Sequence, residues 1–252
     1  MKLNSRRALW SWVDAGAVYP YDVLKSVQNG KSAVADEQWK ALPNFLGDAK
    51  IMPMVDVSGS MTCLLGGKGN LSAMDVAVSL GLYLSEKNGS DFKDTFLTFS
   101  GSPKIEILKG SLTQRYNSMK RSGWGFNTNL HKAFDEILKV AKRGNVSEED
   151  MPDMLLILSD MQFDSCTSFD DSAQQMIRRK YSKAGYTMPK IVFWNLSPYG
   201  SDNTPVRFDD RGVAHVSGFS PAIMKAVLAD DMENFTPYNV MLQTLMVDRY
   251  AY

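Results

Sequence analysis

The sequence predicts an α/β protein: a doubly wound, mostly parallel six-stranded sheet with one antiparallel edge strand, preceded by an N-terminal helical extension. Three observations carry this. The short apolar runs at 51–55, 154–158 and 190–195 have the continuous hydrophobicity of strands buried on both faces. Segments with helical periodicity alternate with them, which calls for right-handed parallel crossovers. Two further strands, 95–99 and 104–108, are joined through Gly101-Ser102-Pro103, a connection short enough to make only an antiparallel pair.

In chain order, residues 6–46 read as short helices and turns, broken at Tyr19-Pro20-Tyr21-Asp22 and at Gly30-Lys31-Ser32. The rings of Trp10, Trp12, Tyr19, Tyr21, Trp39 and Phe45 predict that this segment packs onto the rest. Residues 1–48 are therefore taken as the extension and 49–252 as the α/β domain. Ile51-Met52-Pro53-Met54-Val55 forms the first strand and ends at Asp56, with Pro53 removing one ladder donor. After a loop containing Gly66, Gly67 and Gly69, a helix over 71–87 aligns Ala73, Ala77, Leu80 and Leu84, with Met74, Val78 and Gly81 beside them. Asp75 on that helix reads as a surface residue.

The clearest helix covers 129–143, where Leu130, Ala133, Phe134, Ile137, Leu138 and Ala141 share a face opposite Lys132, Asp135, Glu136 and Lys139. Met154-Leu155-Leu156-Ile157-Leu158 is a buried strand ending at Ser159-Asp160. A helix at about 170–184, a strand over 190–195, a shorter strand at 213–216 and helices at 220–229 and 236–249 complete the order.

Composition narrows the function. The chain has 252 residues, with 28 Lys+Arg balancing 28 Asp+Glu, so no bulk positive field exists to make a general polyanion binder. A local patch is compatible with that balance. The two cysteines, Cys63 and Cys166, are too few for a disulfide framework or a four-Cys zinc site, and reduced thiols are expected. No apolar run reaches 18 residues, and the basic start Met1 to Arg7 lacks the apolar stretch of a secretion signal, so a soluble cytoplasmic protein is expected.

The chemistry gathers at strand ends. Asp56-Val57-Ser58-Gly59-Ser60 follows the first strand, Thr128 closes the loop Trp124-Gly125-Phe126-Asn127-Thr128-Asn129 before the helix at 129, and Asp160 follows the strand at 154–158. In open α/β sheets ligands bind outside the carboxyl ends of the strands, beside the topological switch point. Asp56, Ser58, Ser60, Thr128 and Asp160 offer carboxylates and hydroxyls with no imidazole or thiolate. An oxygen-only set with few carboxylates suits a hard octahedral cation that keeps several waters, Mg²⁺ or Mn²⁺ ahead of Ca²⁺. The competing account of Asp56, Ser58 and Ser60 is a capping turn, since Asp and Ser bond nearby backbone amides.

These three segments resemble the metal-ion-dependent adhesion site (MIDAS) of von Willebrand factor A (vWA) domains, in which Asp-x-Ser-x-Ser, a Thr and an Asp converge from three loops. All five positions are present, and the order of strands, edge hairpin and helices agrees. The chain is also similar to a plant, fungal and viral group without an assigned biochemical role, related to the Ro-type RNA-binding proteins. That likeness rests on Val18 to Asp22, Gln38-Trp39, Asp56 to Met61, Trp124 to Thr128, Ser159 to Asp164, Ile191 to Leu196 and Val216 to Ser220, within roughly residues 15–230. The resemblance implies a Rossmann-like vWA fold and a MIDAS metal site. It leads to a metal-dependent protein-binding module: Ser58, Ser60 and Thr128 hold the cation, Asp56 and Asp160 act partly through water, and an open position takes an Asp or Glu of a protein partner. The alternative it implies is an RNA-associated module of a Ro-like ribonucleoprotein. The helical-repeat RNA-binding ring that precedes this domain in Ro-type proteins is not expected in a chain of this length.

Enzymatic readings are weaker. Cysteine–histidine catalysis would have to use Cys63 or Cys166 with His131 or His215, and no orienting third group is identifiable. His131 lies three residues beyond Thr128, and His215 reads as a packed core histidine. Gly66-Gly67-Lys68-Gly69 lacks phosphate-loop order, and Ser58 stands where an Asp-x-Asp phosphatase has its second carboxylate. A metal-assisted phosphoester hydrolase lacks an evident base or second metal site. Asp164 reads as a solvated loop residue, Arg178-Arg179-Lys180 as an outer helix face, and the 15 methionines as core filling.

Overall fold

The computed structural model describes residues 18–65, 71–123, 125, 128–161, 171–196 and 213–218. The helices expected at 220–229 and 236–249, the glycine loop, Trp10, Trp12, Asp164 and Cys166 lie outside those residues. The elements run α1 (Pro20–Gln28), α2 (Ser32–Ala41), β1 (Ile51–Val55), α3 (Ala73–Lys87), β2 (Thr95–Thr98), β3 (Ile105–Ile107), α4 (Leu112–Lys120), α5 (Leu130–Gly144), β4 (Met154–Ser159), α6 (Asp171–Lys183), β5 (Lys190–Asn195) and β6 (Val213–Ser217).

The six strands form one sheet in the order β3-β2-β1-β4-β5-β6. Every pairing is parallel except β2 with β3, where Phe96 faces Glu106 across the antiparallel edge. Chain order runs outward to β2 and β3 on one side of β1, then restarts at β4 on the other. The switch point therefore falls between β1 and β4, and the residues leaving those two strands emerge side by side.

Strand alternation sends the sheet's two faces into two separate cores. Ile51 and Val55, Leu156 and Leu158, and Val192 and Trp194 lie on one face, in the same core as the buried residues of α3. Met52 and Met54, Leu155 and Ile157, and Ile191 and Phe193 pack on the other against α5 and α6. Pro53 is tolerated for a definable reason. Asp56 N–H points to β4, donating to Leu158 O at 3.0 Å, so by alternation position 53 faces the β2 side. The β1–β2 ladder begins only at Met54 paired with Leu97, so no donor is needed there.

α5 buries the face read from its periodicity, and Asn129 Oδ1 caps it by accepting from Lys132 N–H at 3.0 Å. α3 is buried well beyond one stripe, from Val76 through Ser85, because the N-terminal helices cover its far side. Val23, Leu24, Val27, Ala35 and Trp39 join its core. Tyr83 stitches the two together: its hydroxyl donates to Pro43 O at 2.5 Å and accepts from Phe45 N–H at 2.8 Å.

Two readings need correction. Asp75 is not a simple surface residue: it completes a capping box with Ser72 at the start of α3 and accepts from Gln28 Nε2 at 2.7 Å. α4 was not anticipated. Its Leu112, Tyr116 and Met119 are buried among polar neighbours, and Arg115 ties it to Glu86 at 2.8 Å and to Asp94. Among the described residues no helix is long and apolar enough to cross a membrane.

Candidate metal centre

β1 delivers Asp56 to the sheet's carboxyl edge with 2% of its surface exposed. Both carboxylate oxygens are engaged: Oδ1 accepts from Ser58 N–H at 2.9 Å and Oδ2 from the Ser159 hydroxyl at 2.8 Å. The capping-turn account holds for Asp56 alone, since the Ser58 side chain makes no cap bond to the turn that follows. Val57 and Met61 are buried and anchor the loop in the core, while Ser58 and Ser60 remain half-buried at the edge. A single 3₁₀ turn at Gly59–Thr62, closed by Thr62 Oγ1 donating to Gly59 O at 2.7 Å, brings the Ser58 and Ser60 hydroxyls to 3.1 Å.

The Thr128 loop lies along the carboxyl end of β2. Gly125 N–H donates to Phe99 O at 3.1 Å and Asn129 N–H to Ser100 O at 3.3 Å. Thr128 is 2% exposed, and its Oγ1 is buried without a hydrogen-bond partner. Asp160 leaves β4 at 1% exposure, and Met161 after it adopts a left-handed backbone with φ 61°.

Burial pushes the Asp56 carboxyl above its usual range. Hydrogen bonds from Ser58 and Ser159 oppose that, and the charge of Asp160 adds to it. The Cys63 thiol is raised by burial first and by Asp160 second, which puts Asp160 within electrostatic reach of both. The two carboxylates are therefore neighbours, as adjacent exits from β1 and β4 require. Thr128 joins them at the same sheet edge through its attachment to β2.

His131 lies in the first turn of α5 and is half-buried, while His215 stacks on Phe193 with centroids 5.1 Å apart but is itself half-buried and not a core residue. Among the described residues no group of three or more His, Cys, Asp or Glu side chains is placed to hold a metal. Any ion here would rely on hydroxyls as much as on carboxylates. One member of the arrangement escaped sequence reasoning: Ser159, fully buried, whose hydroxyl bridges to Asp56 across 103 residues of chain.

Residues 50–244 match the family described as Domain of unknown function (DUF7788). The chain belongs to that family. This DUF7788 chain is 32% identical over 241 residues to the uncharacterized protein L728 of Acanthamoeba polyphaga mimivirus, covering 92% of the chain and 40% of that protein. Among solved structures it is similar to the RO (RSR) protein of Deinococcus radiodurans, with a TM-score of 0.55, 18% identity, and coverage of 84% of this chain and 44% of that one. That likeness fixes the fold as vWA-like and Rossmann-like. The DUF7788 chain spans less than half the length of each of these two proteins.

Proposed function

We propose that the chain is a vWA-like recognition module whose sheet edge uses Asp56, Ser58, Ser60, Thr128 and Asp160 to hold a hard divalent cation, Mg²⁺ or Mn²⁺. The observation that carries this is the Thr128 hydroxyl, buried without a partner in the loop that follows the end of β2, the strand paired with the one that delivers Asp56. A buried hydroxyl left unsatisfied costs about 1–3 kcal/mol, and the charge of Asp160 adds to the burial that disfavours the ionised form of Asp56. An all-oxygen donor set of this composition fits Mg²⁺ chemistry. When bound, such an ion supplies a positive centre with an open coordination position for an anionic oxygen of a partner. Saturating Mg²⁺ is expected to raise the melting temperature, by the equivalent of ~2.7 kcal/mol at one hundred times the dissociation constant, with EDTA reversing it. Identical melting of wild type and Asp56→Ala with and without millimolar Mg²⁺ would remove the proposal.

The partner is a separate matter, and the comparisons lend more support to an RNA-associated role. The fold likeness to the RO protein supports it, together with the sequence resemblance to Ro-type RNA-binding proteins. With 28 positive and 28 negative side chains, attraction to RNA would have to be local. Titration of structured RNA at two salt concentrations checks this; binding that weakens with salt supports it, and absence of binding at low salt rejects it. The other class is a protein offering Asp or Glu to the cation, supported by the donor set alone. A pull-down with wild type against the Asp56→Ala, Ser58→Ala double variant, in Mg²⁺ and in EDTA, separates cation-dependent partners from the rest.

A further inference from the structure

Ser159 lies outside the five proposed ligands, yet it touches both loops that carry the carboxylates. It is the last residue of β4 and is fully buried. Its backbone is fixed by register with Asn195 of β5, and its carbonyl accepts from Leu196 N–H at 2.9 Å. From that rigid position the hydroxyl donates its proton to Asp56 Oδ2 at 2.8 Å and accepts Met161 N–H at 3.1 Å. A serine hydroxyl has one proton to give, so its donor capacity is committed to Asp56.

The second bond closes the turn that carries Asp160. Met161 is a buried, non-glycine residue in the left-handed region, a conformation that persists only where its surroundings over-determine it. Ser159 on one side and Met161 on the other bracket Asp160, and one oxygen ties the bracket together. With Ser58 N–H on Oδ1 and Ser159 Oγ on Oδ2, the Asp56 carboxylate is also held from both sides.

We infer that Ser159 is the positioning residue of this edge: its single hydroxyl sets Asp56 and Asp160 relative to each other and so tunes cation affinity without touching the ion. This rests on the cation reading above. Groups that orient ligands in this way change metal affinity by about 10–100-fold when removed. Alanine at 159 fits the strand but removes the hydroxyl that donates to Asp56 Oδ2 and accepts from Met161 N–H. Cysteine keeps nearly the same shape with a weak donor, and threonine restores the hydroxyl.

The test is Mn²⁺ binding to the full 252-residue chain, followed by the electron paramagnetic resonance signal of free Mn²⁺, for wild type and for Ser159→Ala, Ser159→Cys and Ser159→Thr. Melting in EDTA runs alongside to show that each variant is folded. The inference expects Ala and Cys to weaken binding by at least about tenfold and Thr to recover most of it. Should the alanine variant not fold, the cysteine variant decides. Folded Ala or Cys variants that bind Mn²⁺ like wild type overturn the inference and leave the cation site standing, even if their EDTA melting drops. A wild type that binds no Mn²⁺ overturns the cation reading and this inference with it.

Discussion

At the carboxyl edge of the sheet, the loop after β1 and the loop before α5 meet their hydrogen-bonding needs in opposite ways. In the first, Asp56 spends both oxygens on Ser58 and Ser159, the hydroxyls of Ser58 and Ser60 face each other, and Thr62 closes the turn. In the second, the backbone is pinned at Gly125 and Asn129 to Phe99 and Ser100, just past β2, but the Thr128 hydroxyl is buried with no partner. The first loop is a scaffold that holds its shape by itself. The second presents an atom whose burial costs free energy unless something else comes to it. Between these two loops, the one that holds Asp56 is satisfied internally and the one that holds Thr128 leaves a buried hydroxyl open.

Substitutions can separate these two kinds of region. The largest effect is expected in the core between α5 and α6. Phe134 is fully buried against Tyr181, edge to face at 6.1 Å, and Phe134→Ala should cost about 3–5 kcal/mol in urea unfolding. Its Mg²⁺ affinity should stay at the wild-type value; a parallel loss would mean that the edge has no independence from the core.

Gly81→Ala acts between the two regimes. A Cβ on Gly81 would meet Val55 Cγ2 at 2.5 Å, where α3 crosses the strand residue directly before Asp56. The clash should outweigh the ~1 kcal/mol gained in helix propensity and leave a net loss of about 1–2 kcal/mol, with weaker cation binding as β1 shifts. Unchanged or improved stability would show that Val55 gives way without disturbing the edge.

The smallest effect has the most telling sign. Thr128→Val keeps the shape and removes the unpartnered hydroxyl. In EDTA its stability should equal or exceed wild type by about 1 kcal/mol, while the Mg²⁺-induced rise in melting temperature disappears. A large loss of stability in EDTA would mean that the hydroxyl serves the fold itself.

The sequence made the fold legible wherever burial had a simple period. Both-face strands announced themselves as unbroken apolar runs at Met154–Leu158 and Ile191–Trp194, and α5 as a 3.6-residue stripe. The five candidate ligands were legible because each follows a strand or precedes a helix at one edge. α4 was missed because only Leu112, Tyr116 and Met119 mark its face, although Ser111 and Gln114 form a capping box that could have flagged its start. Asp75 was misjudged because its capping role looks like any surface carboxylate on a helix. Ser159 could not be read locally at all: its partner is 103 residues away, and only the β1–β4 pairing brings them together.

The most direct test of the central claim is to soak crystals of the protein in Mn²⁺ and locate the ion by its anomalous scattering. A peak at the carboxyl edge within ~2.3 Å of the Ser58, Ser60 and Thr128 hydroxyl oxygens, with Asp56 and Asp160 around it, is the predicted result. No peak at that edge under millimolar Mn²⁺, with the Thr128 hydroxyl still buried and unpartnered, would contradict it.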